Sequence, residues 1–136
     1  MHTAPVAVAL AFSVAVAACA ALPELRCTSG EQVAVHDSLY FGTGKPHGVV
    51  TPEEWAQFLE ATVTPRFPQG LTVSPASGQR RGADGSIVRE TTYVLHLVHA
   101  NDATSEGAIA EVIAAYKVQF QQEAVLRVRA RACVAL

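Results

Sequence analysis

The sequence predicts one α+β domain whose strands and helices follow each other in the order β-α-β-β-α-β. Four segments alternate apolar and polar residues with the period of two that is typical of strands half covered by a core. Two further segments carry apolar residues three and four positions apart, the spacing of one face of a helix. Asp84-Gly85 is a strong hairpin signal between the two middle strands. This order is that of the ferredoxin-like fold, a four-stranded antiparallel sheet with two helices on one face.

The predicted strands span Val33 to Phe41, Gly70 to Arg81, Ile87 to His99 and Ala124 to Val134. In the first strand Val35 and Leu39 have the parity of a core face, whereas His36, Ser38 and Tyr40 have the opposite parity. Because crossover connections are right-handed, the first and third strands are expected at the centre of the sheet. The last strand is then expected to lie antiparallel beside the first.

The first helix is predicted to begin at Thr51, which can cap it, with Glu54 completing a capping box. Pro65 ends it. The second helix is predicted from roughly Thr104 to Gln121, with Thr104 or Ser105 as its cap.

The N-terminal segment has the composition of a secretory signal. Every Lys, Arg, Asp and Glu lies at or after Glu24. The densest apolar stretch, Val6 to Val16, would span roughly 16 Å as a helix, about half the core of a bilayer. Small residues and Pro23 follow it. We therefore predict a signal peptide over residues 1–22 and a single mature domain over residues 23–136; a buried N-terminal helix is the alternative.

Val16-Ala17-Ala18-Cys19 resembles a bacterial lipobox, in which the cysteine is acylated and becomes the first residue of the mature protein. A lipid at Cys19 would hold the domain at a membrane surface. The alternative is ordinary cleavage near Ala18 or Ala20. The expected location is therefore outside the cytoplasm, either lipid-anchored in the cell envelope or secreted.

The other two cysteines, Cys27 and Cys133, predict a disulfide in an oxidising compartment. The expected topology supports the pairing, because the start of the first strand adjoins the end of the last. Closing so long a loop removes about 4.7 kcal/mol of unfolded-state entropy in the simple model. Two unpaired buried thiols are the alternative.

Charge excludes some classes of partner. The formal net charge of −2 provides no basic footprint for nucleic acid and no polybasic membrane patch. We therefore expect no nucleic-acid partner, and membrane contact through a lipid anchor only.

Candidate binding residues lie on the sheet face away from the helices and on the segment Gly78 to Arg81 that enters the predicted hairpin, which we call the hairpin arm. They are His36, Tyr40, Glu90, His96, Arg127, Arg129 and Arg131 on that face, and Gln79 and Arg81 on the arm. The arginine row either holds an anion or protects an edge strand from aggregation. His36 and His96 with Glu90 have the residue types of a facial metal site, but half-polar surface histidines are commoner, so neither a metal nor a cofactor is predicted.

Several segments together resemble a known bacterial family. They are Leu39-Tyr40-Phe41-Gly42, Glu54-Trp55, Val63-Thr64-Pro65-Arg66-Phe67-Pro68-Gln69-Gly70-Leu71-Thr72-Val73, Gly78-Gln79, Glu90, Ala115-Tyr116-Lys117 and Glu123-Ala124-Val125-Leu126-Arg127. The family is domain-of-unknown-function family 3574, and the resemblance covers about residues 27–136. It implies an exported protein, often a lipoprotein, and it supplies no catalytic residues.

Two functions are compatible with these observations. The first is a non-catalytic binding or self-association module that pairs through its open sheet face, with a second copy as the expected partner. The alternative is a dimeric α+β barrel that binds a small molecule, in particular an anion, or acts as a cofactor-independent enzyme. The cavity of such a barrel would be lined by His36, Tyr40, Glu90, His96 and Arg129. No nucleophile or oxyanion loop accompanies the histidines, so no catalytic residues are predicted.

Overall fold

The computed structural model describes residues 24–136. The elements are β1 (Gln32–Gly42), β2 (Gly44–Lys45), β3 (Gly48–Val49), α1 (Pro52–Phe58) with a π-helical turn (Leu59–Val63), β4 (Thr72–Arg81), β5 (Ile87–His99), α2 (Ala103–Phe120) and β6 (Leu126–Val134). The predicted signal peptide over residues 1–22, including Cys19, lies outside the described residues. Within residues 24–136, no helix has the length and apolar content required to cross a bilayer.

The four long strands form one antiparallel sheet in the order β4-β5-β1-β6. Both helices cover the same face, where Leu39 of β1 and Leu95 of β5 pack with Ile109 and Val112 of α2. The predicted ferredoxin-like α+β fold is confirmed, with the first and third long strands at the centre and the last beside the first. The segment between β1 and α1 contains a short additional ladder, because β2 pairs with β3.

The first helix begins as its sequence predicts. Thr51 Oγ1 accepts a hydrogen bond from the Glu54 backbone N–H at 3.1 Å, and a Glu54 carboxylate oxygen accepts one from the Thr51 N–H at 2.8 Å. This reciprocal capping box satisfies two donors that the helix itself leaves free. After Phe58 the backbone widens into the π-helical turn, whose Leu59 carbonyl accepts from the Thr64 N–H at 2.8 Å. The helical segment therefore ends at Val63, two residues before Pro65.

The N-cap of the second helix lies two to three residues earlier than the sequence indicated. Asp102, and neither Thr104 nor Ser105, is the N-cap, and its carboxylate accepts from the Ser105 N–H at 2.7 Å. The correction has a simple cause, since a carboxylate three residues before a free backbone donor is at least as good a cap as a hydroxyl. The helix ends at Phe120, and its C-cap Gln121 adopts the left-handed conformation with φ of 54°.

The core between the helices and the sheet is built from aromatic rings. Phe41 of β1 lies with its ring centroid 5.1 Å from that of Trp55 and 4.6 Å from that of Tyr116. Trp55 also stacks on Tyr93 at 4.7 Å. Tyr116 is fully buried and donates its hydroxyl to the Gly42 carbonyl at 2.9 Å, and burial raises the pKa of this hydroxyl. Fully burying such a ring stabilises the fold by about 1.5–3 kcal/mol.

A disulfide joins Cys27, five residues before β1, to Cys133 near the end of β6. The two Cα atoms are 5.4 Å apart across a sequence separation of 106 residues. The predicted pairing is confirmed. A disulfide of this kind is a feature of proteins that fold outside the cytoplasm.

Candidate functional site

The sheet face opposite the helices carries both half-exposed and buried side chains, since Val98 and Val128 are half exposed whereas Val94 and Ala34 are buried. Residues directly opposite each other in an antiparallel pair share a face. Ser38 pairs with His96 on one side and with Val128 on the other, and His36 pairs with Val98 and with Ala130. The structure therefore places His36, Ser38 and His96 on this face, as predicted. We call it the open face.

The open face carries no formal charge across β1, β6 and residues 92–98 of β5. Its side chains there are Gln32, Ala34, His36, Ser38 and Tyr40 from β1, Thr92, Val94, His96 and Val98 from β5, and Leu126, Val128, Ala130, Ala132 and Val134 from β6. Leu126, Val98 and Val128 are 61%, 53% and 50% exposed. A sheet face that meets water normally alternates to polar residues, so this one is unusually apolar.

Two histidines lie close together in the middle of the open face. The ring centroids of His36 and His96 are 5.5 Å apart. Ser38 Oγ lies 3.1 Å from His96 Nδ1, so the hydroxyl fixes the orientation of that ring. Cross-strand neighbours on β1 and β5 thus bring two imidazoles and one hydroxyl together, with Val98 and Ala130 opposite His36 and Thr72 opposite His96 on β4.

The arginine row of β6 is not on the open face, and that part of the prediction is wrong. Arg127 pairs with Leu39, Arg129 with Asp37 and Arg131 with Val35, all of which face the helices. The sequence alone shows which residues of β6 share a face but does not show which face it is. The prediction placed these arginines on the open face because charged residues usually face solvent. Acidic groups on the helix face instead determine which way the arginines point.

The acidic group responsible is Asp37, which is fully buried on the helix face. Arg127 donates to both of its oxygens, from Nε and from Nη2, each at 2.7 Å. His99 Nε2 lies 2.7 Å from Oδ2 of the same carboxylate. Burial raises the pKa of Asp37, but the hydrogen bonds and positive charges of Arg127 and His99 outweigh it, so that this pKa lies below its ordinary value.

Helix α2 extends this network through Glu106. Arg127 also donates to Glu106 at 2.9 and 3.0 Å, and Arg129 lies 3.2 Å from the same carboxylate. The hydrogen bond from Arg127 lowers the pKa of Glu106. Sequence reasoning missed Asp37, although its parity with Val35 and Leu39 was the signal that could have revealed it.

The carboxylates of Asp37 and Glu106 and the ring of His99 lie within 4.8 Å of one another, close enough to hold a metal ion. Arg127 donates to both carboxylates, so its guanidinium already supplies the positive charge at this position. His99 Nδ1 lies 2.7 Å from the Ala100 carbonyl. The arrangement is a structural ion network that ties β6 to β1 and α2.

Glu90 lies far from the histidines, so the facial His-His-carboxylate arrangement is not formed. It is six residues from His96 along β5, which corresponds to about 20 Å. Its carboxylate accepts from the Gly44 N–H at 3.2 Å and lies against Gly42, where an added Cβ would approach it to 3.1 Å. On the hairpin arm, Gln79 accepts from Arg89 at 3.1 Å.

An open groove of about 1040 Å³ passes beside Glu90, between the hairpin arm and the end of α2. Tyr93 and Gln122 are among the residues that line it. Arg81, the other arm residue predicted as a candidate, is the last residue of β4 and is exposed.

The fold is shared with solved structures of low sequence identity. A phage SAM lyase in complex with S-methyl-5'-thioadenosine aligns with a TM-score of 0.56 and 14% identity, over 85% of this chain and 97% of the lyase chain. The same lyase in the apo state gives 0.54 and 13%, over 84% and 97%. CutA from Synechococcus elongatus PCC7942, complexed with Bis-Tris, gives 0.51 and 17%, over 78% and 88%. At these identities the likeness concerns the fold alone.

A comparison with curated protein sequences found no match. The family model described as "Protein of unknown function (DUF3574)" matches residues 36–136, which include β1 from His36 onward and every later element of the fold. The chain therefore belongs to the DUF3574 family.

Proposed function

We propose that this protein is an exported, non-catalytic module that self-associates through its open face. The observation that carries the proposal is the absence of formal charge on that face across β1, β6 and residues 92–98 of β5, combined with the exposure of Val98, Leu126 and Val128. Covering apolar surface is favourable by roughly 25 cal/mol per Å².

A second copy is the occupant that suits this face best. In a two-fold dimer the same patch meets itself, so a charged patch would repel its copy and an uncharged one would not. Two such faces can pack as stacked sheets about 10 Å apart. Three strands about 4.8 Å apart and roughly 30 Å long outline a face of about 430 Å² before side-chain relief is counted. This is the same order as the ~800 Å² that each partner contributes to a standard interface.

Export and lipid attachment are part of the proposal. The apolar segment within residues 1–22 supports a signal peptide, the lipobox-like sequence supports acylation of Cys19, and the disulfide is consistent with an oxidising compartment. A lipid anchor would restrict the protein to a membrane surface and raise its local concentration, which favours pairing.

Sedimentation velocity of the exported protein over a wide range of concentration tests the pairing. Val128→Lys places a charge in the open face, and Val118→Lys places one at a valine of α2 that is 82% exposed. We expect the wild type and Val118→Lys to sediment as dimers and Val128→Lys as a monomer. A monomeric wild type, or a Val128→Lys variant as dimeric as the wild type, would refute the proposal.

Small-molecule binding in the groove beside Glu90 is the second candidate, favoured by the size of that groove. The phage SAM lyase, which has the same fold, was solved with a small ligand. An anion is a poor choice at the arginine row, because Arg127 and Arg129 already bind Glu106. Thermal unfolding with a panel of small ligands tests it, with about 2.7 kcal/mol of stabilisation expected at one hundred times the dissociation constant. Equal shifts in the wild type and Glu90→Gln would contradict a site in this groove.

A further inference from the structure

We propose that His36 and His96 form half of a site for a divalent transition metal ion such as Zn²⁺, and that the same two histidines of a second copy complete it. The inference rests on the proposed pairing of open faces. It adds a ligand to that interface and makes the assembly depend on metal.

The separation of the two rings suits shared coordination. Two imidazoles on one tetrahedral zinc ion, with Zn–N distances of about 2.0–2.1 Å, place their ring centroids roughly 5 Å apart. The observed separation of the His36 and His96 centroids is 5.5 Å, with the rings tilted by 38°. Small rotations of the two side chains would therefore suffice to direct one nitrogen of each ring at a common ion.

Ser38 prepares the ring of His96 for this role. Its Oγ lies 3.1 Å from Nδ1. When Nδ1 carries the proton, the Nδ1–H group donates a hydrogen bond to the hydroxyl oxygen, which leaves the lone pair on Nε2 free. Histidines that bind metals commonly donate their second nitrogen to such an acceptor, which fixes both the tautomer and the ring orientation. The Ser38 contact is thus an outer-sphere interaction of the kind that metal sites use.

The surroundings leave the ligand set incomplete within one chain. Among residues 24–136, no third His, Cys, Asp or Glu offers a ligand atom close enough to join this pair in a metal-binding group. No cationic side chain lies on this part of the open face, in contrast to the Asp37 cluster, where Arg127 occupies the position of a cation. A tetrahedral ion needs four ligands, so two must come from elsewhere.

The position of the pair allows a second copy to supply them. His36 lies on β1 and His96 on β5, the two central strands of the sheet, so a two-fold axis through the middle of the face brings the pair opposite itself. Stacked sheets lie about 10 Å apart. This spacing is close to the length of two histidine side chains that face each other with a metal ion bound between them.

The experiment measures zinc stoichiometry and dimer affinity on the exported protein. After dialysis against EDTA, the protein is titrated with ZnCl₂ by calorimetry, and its sedimentation is measured with and without the ion; MgCl₂ is the control ion. His36→Asn and His96→Asn remove ligands, whereas His47→Asn removes an exposed histidine of the β2–β3 turn and is the matched control.

We expect one Zn²⁺ per two chains. When free Zn²⁺ is in roughly tenfold excess over its own dissociation constant, the dissociation constant of the dimer should fall by roughly tenfold. Both effects should disappear in His36→Asn and His96→Asn and persist in His47→Asn. A dimer that forms in EDTA and responds neither to Zn²⁺ nor to these substitutions would refute the metal site and leave the pairing intact. A monomer in both conditions would refute the pairing, and with it the shared site.

Discussion

Replacing Arg127 with leucine should be among the most damaging single changes to the stability of this domain. Arg127 binds both oxygens of Asp37, which is fully buried, and its other contacts reach Glu106 on α2. Leucine retains part of the apolar stem of arginine but removes every hydrogen bond. Asp37 then remains inside the core with the ring of His99, whose Nε2 lies 2.7 Å from Oδ2, as its remaining side-chain partner.

The magnitude follows from the cost of leaving one member of a buried ion pair unpaired, which is about 3–5 kcal/mol. For a domain of this size each kcal/mol lowers Tm by roughly 4 °C, so the expected fall is about 12–20 °C. The same substitution in an Asp37→Asn background should cost much less, because no buried charge is then left behind.

The assay is equilibrium unfolding in urea, followed by the fluorescence of Trp55, the single tryptophan, which is 5% exposed. Arg131→Leu is the matched control, because Arg131 lies on the same face of β6 and makes no ion pair within residues 24–136. It should change stability by no more than about 0.5 kcal/mol. If Arg127→Leu costs no more than Arg131→Leu, the account of the buried network is wrong.

Three further outcomes are expected. The stability that the charge of Asp37 contributes is complete above the ordinary pKa of an aspartate and is lost as the pH falls through the lower pKa of the folded state. The difference in free energy of unfolding between wild type and Asp37→Asn should therefore shrink in acid. A difference that grows in acid would contradict this. Thr51→Ala removes the capping hydroxyl and should cost about 1 kcal/mol in urea unfolding, and no loss would mean that the cap is replaced by water. Intact-mass analysis of the exported protein should find a lipid on Cys19 and no alkylatable thiol at Cys27 or Cys133; a mature chain that begins after Cys19 would contradict the anchor.

Most of the fold could be predicted from the sequence because apolar and polar residues alternate along its strands. In β1 the buried side chains of Val35, Leu39 and Phe41 alternate with His36 and Tyr40, as the period of two requires. The order of elements and the handedness of crossovers then determined the neighbours of each strand. The disulfide agreed with that order independently.

The face of β6 could not be predicted in the same way. Taken alone, either set of alternate β6 residues could face the helices, since one set carries arginines and the other small apolar residues. Which one faces the helices depends on Asp37 and Glu106, which belong to distant parts of the chain. A buried aspartate supplied the deciding interaction, and no local pattern in β6 reports its presence.

The candidate site was predicted in part. His36 and His96 were assigned to one face from parity, but their proximity depends on the register between β1 and β5, which pairs Ser38 with His96. Glu90 shares their parity and yet lies far along the strand. Parity shows which residues of one strand share a face, whereas register determines their neighbours on the next strand, and a single sequence reports only the first.

The bond between Cys27 and Cys133 affects how the domain would respond to proteolysis. Because Cys27 precedes β1 and Cys133 is the next-to-last residue of β6, a protease that cuts anywhere between them converts one chain into two pieces that stay covalently joined. A cut in the exposed turn at residues 82–86 would therefore separate neither half of the sheet from the other. Such a nicked molecule would migrate as one species under non-reducing conditions and separate into fragments only after reduction.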